Sequence, residues 1–231
     1  MLGKHKIIPS FLVLLSVLVA CNTAHLDTET ESITIGFTSA AQPWVTEIQA
    51  CANLNSIIVD FQKNSLLDAN NMMSIRIGES LQVATTIYQV ANTEITIIAN
   101  SHNPVQSLTR EEARAIFNGT ISNWNQVSGG VDAPIQVWTY PRSTDIHEAF
   151  QYYFMGEYSI THQALVTNDY DNMIAVVSSE PGAVGFIVGA VFSDEISTLY
   201  TIESVPVVAF LHSEPDNEIR QLLLCAQTRN R

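Results

Sequence analysis

The chain has 231 residues and carries 23 acidic against ten basic side chains, a formal charge of −13. Hydrophobic residues make up 46% of it, which favours a folded globular protein over a disordered one. Nucleic acid and anionic membrane surfaces are poor partners for such a chain, because both need clustered Lys and Arg.

The first 21 residues have the pattern of an export signal. Lys4 and Lys6 give a basic start, residues 7–19 are apolar, and residues 18–21 read Leu-Val-Ala-Cys, which resembles a lipoprotein cleavage site. We therefore predict an exported bacterial lipoprotein, held at the cell membrane by a lipid on Cys21, with residues 22–32 as a polar tether. Ordinary signal cleavage and an uncleaved anchor are the alternatives. The signal holds two of the ten basic residues and no acidic one, so the mature chain has eight basic and 23 acidic residues, a charge of −15.

Strands and helices are predicted to alternate along the rest of the chain. Hydrophobic patterning predicts strands at 32–37, 57–61, 81–84, 94–99, 135–139, 181–188 and 205–210. Helices are expected at 44–54, 65–78, 109–118, 145–155, 161–165 and 216–227. Thr109 and Glu112 form a predicted capping box. The alternation indicates an α/β fold with substantially parallel sheets, in one domain or two small lobes.

Two strand-to-helix junctions could receive a small anion. One holds Thr38 and Ser39, and the other holds Arg142, Ser143 and Thr144. At both, hydroxyl groups lie where free backbone N–H groups at a helix start favour negative charge, and the guanidinium of Arg142 suits an oxyanion. The alternative is that these side chains are ordinary helix caps, and capping is also the expected role of Asp145, which follows them.

The mature chain keeps two cysteines, Cys51 and Cys225, once Cys21 is assigned to lipid. Both lie on predicted helices near opposite ends of the chain. In an oxidising compartment they could form a disulfide, or they could remain two buried thiols. The sequence leaves this open.

Motifs for catalysis and for metal or nucleotide binding do not occur. The chain has no Gly-x-Ser-x-Gly elbow, no His-Glu-x-x-His pair and no Walker-type loop. Its histidines lack the spacing of metal ligands. Residues 168–172, Asn-Asp-Tyr-Asp-Asn, are expected to form a turn and not a calcium loop, since Met173 and Ile174 follow. We expect no metal, no cofactor and no enzymatic activity.

Several segments, spread in order over the mature chain, resemble the substrate-binding proteins of phosphate ABC transporters. Residues 103–124 contain Asn-Pro-Val-Gln-Ser-Leu-Thr and Ile-Phe-Asn-Gly-Thr-Ile-Ser-Asn-Trp, similar to the helix and turn of that family. Residues 181–186, Pro-Gly-Ala-Val-Gly-Phe, are similar to its Pro-Gly-Ala-Ile-Gly-Tyr. Residues 34–40 and 77–86 resemble its first two Ser/Thr-rich turns.

The resemblance implies a two-lobed type II periplasmic-binding-protein fold with the ligand cleft between the lobes. Lobe 1 would comprise residues 33–100 and 200–231, and lobe 2 residues 101–199. The implied ligand-binding residues are Thr38 and Ser39 in a first loop, Thr85 and Thr86 in a second, and Arg142, Ser143 and Thr144 in a third. Phe117 and Trp124 are expected to support the fold of lobe 2.

The function implied is capture of phosphate or a related oxyanion for an ABC permease, by a lipid-anchored monomer outside the cytoplasm. The third loop departs from the family pattern, because it is shorter and lacks both glycines and the second Arg. The choice among oxyanions therefore stays open, with Asp145 as an alternative hydrogen-bond acceptor. A sensor or adaptor lipoprotein that kept the fold is the second hypothesis.

Overall fold

The computed structural model describes residues 32–63, 72–79, 86–190 and 193–229. The predicted signal peptide with Cys21, the tether up to residue 31, the predicted strand at 81–84, Thr85 and the first part of the predicted helix at 65–78 lie outside the described residues.

The strands are β1 (Ile33–Phe37), β2 (Val59–Lys63), β3 (Met73–Ile77), β4 (Thr86–Asn100), β5 (Gln136–Thr139), β6 (Leu165–Val166), β7 (Ala183–Val188) and β8 (Ile196–Leu211). The α-helices are α1 (Gln42–Leu54), α2 (Arg110–Phe117), α3 (Asp145–Ala149), α4 (Tyr170–Ser179) and α5 (Asn217–Arg229). A 3₁₀ turn covers Trp124–Gln126, and a π-helix, Phe150–Met155, continues α3.

The strands form one mixed sheet in the order β2-β1-β3-β8-β4-β7-β5-β6. Strand β1 runs parallel to β2 and β3, and β5 runs parallel to β6 and β7. The long strands β4 and β8, of 15 and 16 residues, pair with each other in antiparallel orientation. The α/β class is confirmed, but the sheet is less parallel than predicted, because β8 returns from the end of the chain to lie between β3 and β4.

Two sequence predictions of helix are wrong. Residues 73–77 form strand β3, and all five of its residues are buried. A strand covered on both faces shows no alternation of apolar and polar residues, so its pattern resembles that of a buried helix segment. Residues 161–165 are not helical either, since Leu165 begins the edge strand β6.

Residues 31–231 form one compact unit, within which the buried apolar side chains separate into two cores. The terminal core takes residues from both ends of the described chain, namely Ile33 to Ile57 with Met73 and Ile75, Val90 and Ala91, and Val207 to Ala226. The central core takes Ile77 and residues from Ile95 to Val205. Strands β4 and β8 pass from one core to the other. These two cores support the predicted pair of lobes, whose boundaries remain a prediction.

The turn that follows α2 closes the central core. Thr109 and Glu112 form the predicted capping box at the start of α2. Gly119 follows the end of this helix with a φ of +83°, which a residue with a side chain rarely adopts. Phe117 and Trp124 are fully buried, and the Trp124 indole N–H donates to the carbonyl of Gly182. The predicted supporting role of these two aromatic residues is confirmed.

A disulfide joins α1 to α5. Cys51 and Cys225 lie 174 residues apart in sequence, and their Cα atoms are 5.8 Å apart. Cys51 is fully buried in the terminal core, and Cys225 packs against that core. Both ends of the described chain are therefore linked covalently on one side of the sheet.

Candidate functional site

A cavity of about 730 Å³ opens where the two cores meet. The loop after β1 and the start of α1 form one wall, together with Lys63 at the end of β2. The opposite wall comes from the junction between β5 and α3, from the start of α4 and from the end of β7. The lining residues are Ser39, Ala40, Gln42, Pro43, Thr46, Lys63, Tyr140, Thr144, Asp145, Ile146, Asn168, Asp169, Tyr170, Asp171, Val188, Gly189 and Ala190. We refer to this cavity as the cleft.

The first predicted anion loop lies at the cleft. Strand β1 ends at Phe37, and the Thr38 N–H continues its ladder by donating to the carbonyl of Ile75 at 3.2 Å. The Thr38 hydroxyl accepts the N–H of Ala41 at 3.2 Å and donates to Asp145 Oδ2 at 2.6 Å. Ser39 is exposed in the cleft wall. The loop thus presents Ser39 to the cleft, whereas the hydroxyl hydrogen of Thr38 is already shared with a carboxylate.

Asp145 is the cleft residue that bonds to both β3 and the loop after β1. Its Oδ2 accepts the Thr38 hydroxyl and also the backbone N–H of Ile77, at 2.9 Å. Only 5% of the residue is exposed. Burial raises the pKa of this carboxyl, against the opposing effects of the hydrogen bonds from Ile77 and Thr38 and of the nearby Arg76 charge. The expectation that Asp145 caps its helix is wrong, because Thr144 is the N-cap and Asp145 is the first helical residue.

Thr144 uses its hydroxyl within its own turn. The oxygen accepts the N–H of His147 at 3.4 Å, and the hydroxyl donates to the carbonyl of Pro141 at 2.8 Å. This is the ordinary capping role that the sequence offered as an alternative to anion binding. Thr144 still lines the cleft, so its position is compatible with a ligand contact although its hydrogen-bonding capacity is partly used.

Three further predicted ligand residues, Arg142, Ser143 and Thr86, do not line the cleft. Arg142 and Ser143 are exposed, and Arg142 instead lines a neighbouring groove of about 670 Å³ that also includes Glu79, His147 and Glu148. Thr86 is exposed at the first position of β4. The structure therefore places Ser39 and Thr144 in the cleft wall, with Thr38 next to it through its hydrogen bond to Asp145, whereas Arg142, Ser143 and Thr86 do not line the cleft.

The charges around the cleft are mainly negative. Among the described residues, Asp145, Asp169 and Asp171 line the cleft, and Lys63 is the one cation there. The Lys63 ammonium donates to the side-chain oxygen of Gln42 at 3.4 Å. Asp169 accepts the N–H of Asn172 at 2.9 Å as the N-cap of α4. The predicted turn at residues 168–172 is thus the start of a helix that borders the cleft.

Tyr140 is a cleft residue that the sequence analysis missed. Only 3% of it is exposed, and among the described residues its hydroxyl has no hydrogen-bond partner. Burial raises its pKa far above the usual range, with smaller contributions from Tyr170 and Asp169. Its place directly after β5, at the carboxyl edge of a parallel strand pair, is the signal that could have identified it.

Within the described part of the chain, no group of His, Cys, Asp and Glu side chains could hold a metal ion.

An α/β sheet with two cores, two long strands shared between them and a cleft at their junction defines the class of type II periplasmic-binding-protein folds. The model of the PBP superfamily domain matches residues 73–210, more than half of the chain. The chain belongs to this superfamily, as the resemblance of its motifs implied.

Individual relatives agree with this assignment. The chain is 25% identical over 144 residues to the phosphate-binding protein PstS of Bacillus subtilis, and the match covers 57% of this chain and 47% of that protein. The chain thus spans about half the length of this curated relative.

None of the helices that the structure describes is long and apolar enough to cross a membrane.

Solved structures share the fold at low sequence identity. A putative phosphate ABC transporter substrate-binding protein from Clostridium perfringens, with bound phosphate, superimposes with a TM-score of 0.72 at 18% identity, covering 84% of this chain and 92% of that one. An ABC-type phosphate transport receptor from Vibrio cholerae gives 0.65 at 23% identity, covering 85% and 93%.

Proposed function

We propose that this protein is an extracytoplasmic solute-binding protein that captures phosphate or a similar small oxyanion for an ABC importer. The observation that carries the proposal is the cleft between the two cores, in a member of the PBP superfamily, with Ser39 and Thr144 in its walls and Thr38 bonded to the lining residue Asp145. Relatives named for phosphate binding and phosphate transport share its fold or sequence. The protein binds and releases its solute without chemical change.

Binding in this proposal depends on neutral donors. Hydroxyl and backbone N–H groups bind an anion without a fixed positive charge, and fields from carboxylates farther away than about 8–10 Å are screened at physiological salt. The proposed ligand residues remain Thr38, Ser39, Thr85, Thr86, Arg142, Ser143 and Thr144. Thr86, Arg142 and Ser143, which do not line the cleft, would contribute through closure of the lobes, which an anion stabilises only by contacts that the open form lacks.

The lipid anchor and the permease complete the proposal. A lipid on Cys21 would hold the monomer beside the permease, with residues 22–32 as the tether. Replacing Cys21 by Ser should move the protein from the membrane fraction into the soluble exported fraction, as fractionation of the source bacterium would measure. A Cys21→Ser protein that stays with the membrane would contradict lipid anchoring and leave solute binding untouched.

Oxyanion binding is tested on protein expressed from Asn22 onward. Phosphate, sulfate, molybdate and tungstate are each titrated by calorimetry, and the melting temperature is followed in parallel. A ligand that binds only the folded state stabilises it by RT ln(1 + [L]/Kd), about 2.7 kcal/mol at a hundredfold excess over Kd. We expect both heat and a higher melting temperature with phosphate. No response to any of the four anions would reject the proposal.

A sensor or adaptor role is the second candidate function, and one observation favours it. The carboxylates of Asp145, Asp169 and Asp171 surround the cleft with Lys63 as its one cation, which opposes a fully ionised anion. A folded protein that binds none of the four anions but co-purifies with a specific envelope protein after crosslinking would support this role. Capture of the permease itself would instead support import.

A further inference from the structure

We infer that the carboxylate of Asp145 itself occupies the anion site. It accepts hydrogen bonds from the donors that a bound oxyanion would use, and it holds α3 against β1 and β3. The inference rests on the proposed function, because it assumes that the cleft receives an oxyanion. It assigns to Asp145 a direct effect on affinity: the solute competes with a side chain of the protein itself.

Two donors from the terminal part of the sheet converge on one oxygen of Asp145. Oδ2 receives the Thr38 hydroxyl at 2.6 Å and the Ile77 N–H at 2.9 Å, across 107 and 68 residues of sequence. Thr38 follows β1 and Ile77 ends β3, and these two strands are parallel neighbours. A hydroxyl and a backbone N–H at the carboxyl edge of parallel strands are the type of donors that bind oxyanions. Here they bind a carboxylate of the chain.

The contact is built into the packing of α3 and is not a loose surface pair. Asp145 is 5% exposed, so water offers little competition for its oxygen atoms. One turn further along, Glu148 forms an ion pair with Arg76 of β3, whose guanidinium also lies 5.9 Å from the ring centre of Phe210. Asp145 and Glu148 therefore both attach α3 to the same strand.

Gly78 shows how closely the two parts approach. It has a φ of +71°, and a Cβ at this position would lie 3.2 Å from the Cβ of Ala149, the last residue of α3. Its N–H donates to the carbonyl of Pro206 at 2.8 Å, which fixes it to β8. A side chain at residue 78 would push α3 away, so the sequence at this point is suited to the contact that Asp145 makes.

Competition by Asp145 lowers the apparent affinity for a solute. If the donors are free in only a fraction of molecules, the apparent dissociation constant is the intrinsic constant divided by that fraction. Removing the carboxylate should therefore tighten binding of an oxyanion. Loss of any negative charge near the cleft would also help, so the test needs a matched control that removes one carboxylate without freeing a donor.

Asp171 provides that control. It lines the same cleft, is exposed, and makes no hydrogen bond to Thr38 or Ile77 among the described residues. Phosphate and sulfate are titrated by calorimetry into the wild type, Asp145→Ala and Asp171→Ala at constant ionic strength. We expect Asp145→Ala to bind at least about tenfold more tightly than the wild type, and Asp171→Ala to change by less than about threefold. Equal changes in the two variants, or no gain in Asp145→Ala, would overturn the inference.

The outcomes separate this inference from the proposed function. If Asp145→Ala binds an oxyanion and the wild type does not, the result supports the inference and counts against oxyanion capture by the wild type. Equally tight binding by the wild type and Asp145→Ala supports the proposed function and overturns the inference.

A second variant and a second measurement guard against misfolding. Asp145→Asn keeps the size of the side chain, and a melting curve shows whether each variant is folded. In folded Asp145→Ala, which removes the acceptor oxygen, the amide hydrogen of Ile77 should exchange faster than in the wild type, and excess phosphate should slow it again. Exchange at the wild-type rate would contradict the inference, because it would show that Asp145 does not occupy this donor.

Discussion

Thr38 and Asp145, 107 residues apart in sequence, share a hydrogen bond of 2.6 Å between a hydroxyl and a buried carboxylate. The pair joins the loop after β1 to the first residue of α3, and with it the two walls of the cleft. Burying a carboxylate is costly unless hydrogen bonds compensate, and here burial dominates, since the pKa of Asp145 is raised. The chain retains this costly group at the centre of its site.

The raised pKa of Asp145 predicts a pH dependence of stability. Above the ordinary carboxyl pKa the unfolded chain has lost this proton, whereas the folded protein keeps it until the pH passes the raised value. The folded state therefore binds more protons in this window, and the free energy of unfolding falls as pH rises, by about 1.4 kcal/mol for each unit of the shift. Asp145→Asn should lack this decrease.

Urea unfolding of the wild type and Asp145→Asn over a series of pH values measures the effect. The difference between their unfolding free energies, wild type minus variant, should be largest below the ordinary carboxyl pKa and should decrease as pH rises through the raised one. Asp171→Asn, an exposed carboxylate of the same cleft, serves as the control and should show no such trend. Parallel curves for the wild type and Asp145→Asn would refute the prediction.

Ser39 and Arg142 should differ in their effects on phosphate binding. Ser39 lines the cleft and Arg142 lines the neighbouring groove. We expect Ser39→Ala to lose about 0.5–1.5 kcal/mol of binding free energy, the usual net value of a hydrogen bond. Arg142→Ala should lose about 1.5–3 kcal/mol, the usual value of a hydrogen bond to a charged group, because the proposal brings Arg142 to the anion on closure. Calorimetry in the same buffer measures both variants, and an affinity of Arg142→Ala within about twofold of the wild type would show that this charge does not contact the anion.

Truncation of Trp124 should destabilise the fold without acting on the cleft. Its side chain is 1% exposed in the central core, and removing such an aromatic group costs about 3–5 kcal/mol. Urea unfolding of Trp124→Ala gives the value. Val131→Ala, seven residues later and 52% exposed, is the control and should change stability by less than about 0.5 kcal/mol. Equal losses in the two variants would contradict this account of the core.

The disulfide should contribute strongly to stability. Closing a loop of 174 residues restricts the unfolded chain, and loss of a native disulfide typically costs about 2–5 kcal/mol. The double variant Cys51→Ala, Cys225→Ala should therefore unfold at lower urea concentration than the oxidised wild type. Reduced wild-type protein is the matched control and should resemble the double variant. A reducing agent that leaves the unfolding curve unchanged would rule out a stabilising role.

Much of the fold was predictable because its signals are local. The capping box at Thr109, the left-handed Gly119 and the buried Trp124 follow from neighbouring residues, and the structure contains all three. Strand β3 was missed because every one of its residues is buried, which leaves no alternation to detect. The antiparallel return of β8 between β3 and β4 depends on contacts distant in sequence.

The candidate site was less predictable, since its geometry arises from packing. The sequence located Thr38, Ser39 and Thr144 at helix starts, but it assigned Asp145 to capping. Only the approach of α3 to β3 places that carboxylate on Ile77 and Thr38. Tyr140 was missed because its one signal, a place directly after a strand, marks a cleft residue only once that strand is known to have a parallel neighbour.

The two cores also differ in when they can form as the chain is made. The buried residues of the central core that the structure describes lie between Ile77 and Val205. The terminal core needs Ile33 and also Ala226, so it stays incomplete until α5 has emerged, and Cys51 has no partner until then. The disulfide between α1 and α5 can therefore close only after Cys225 has been made, when the residues of the central core are already present.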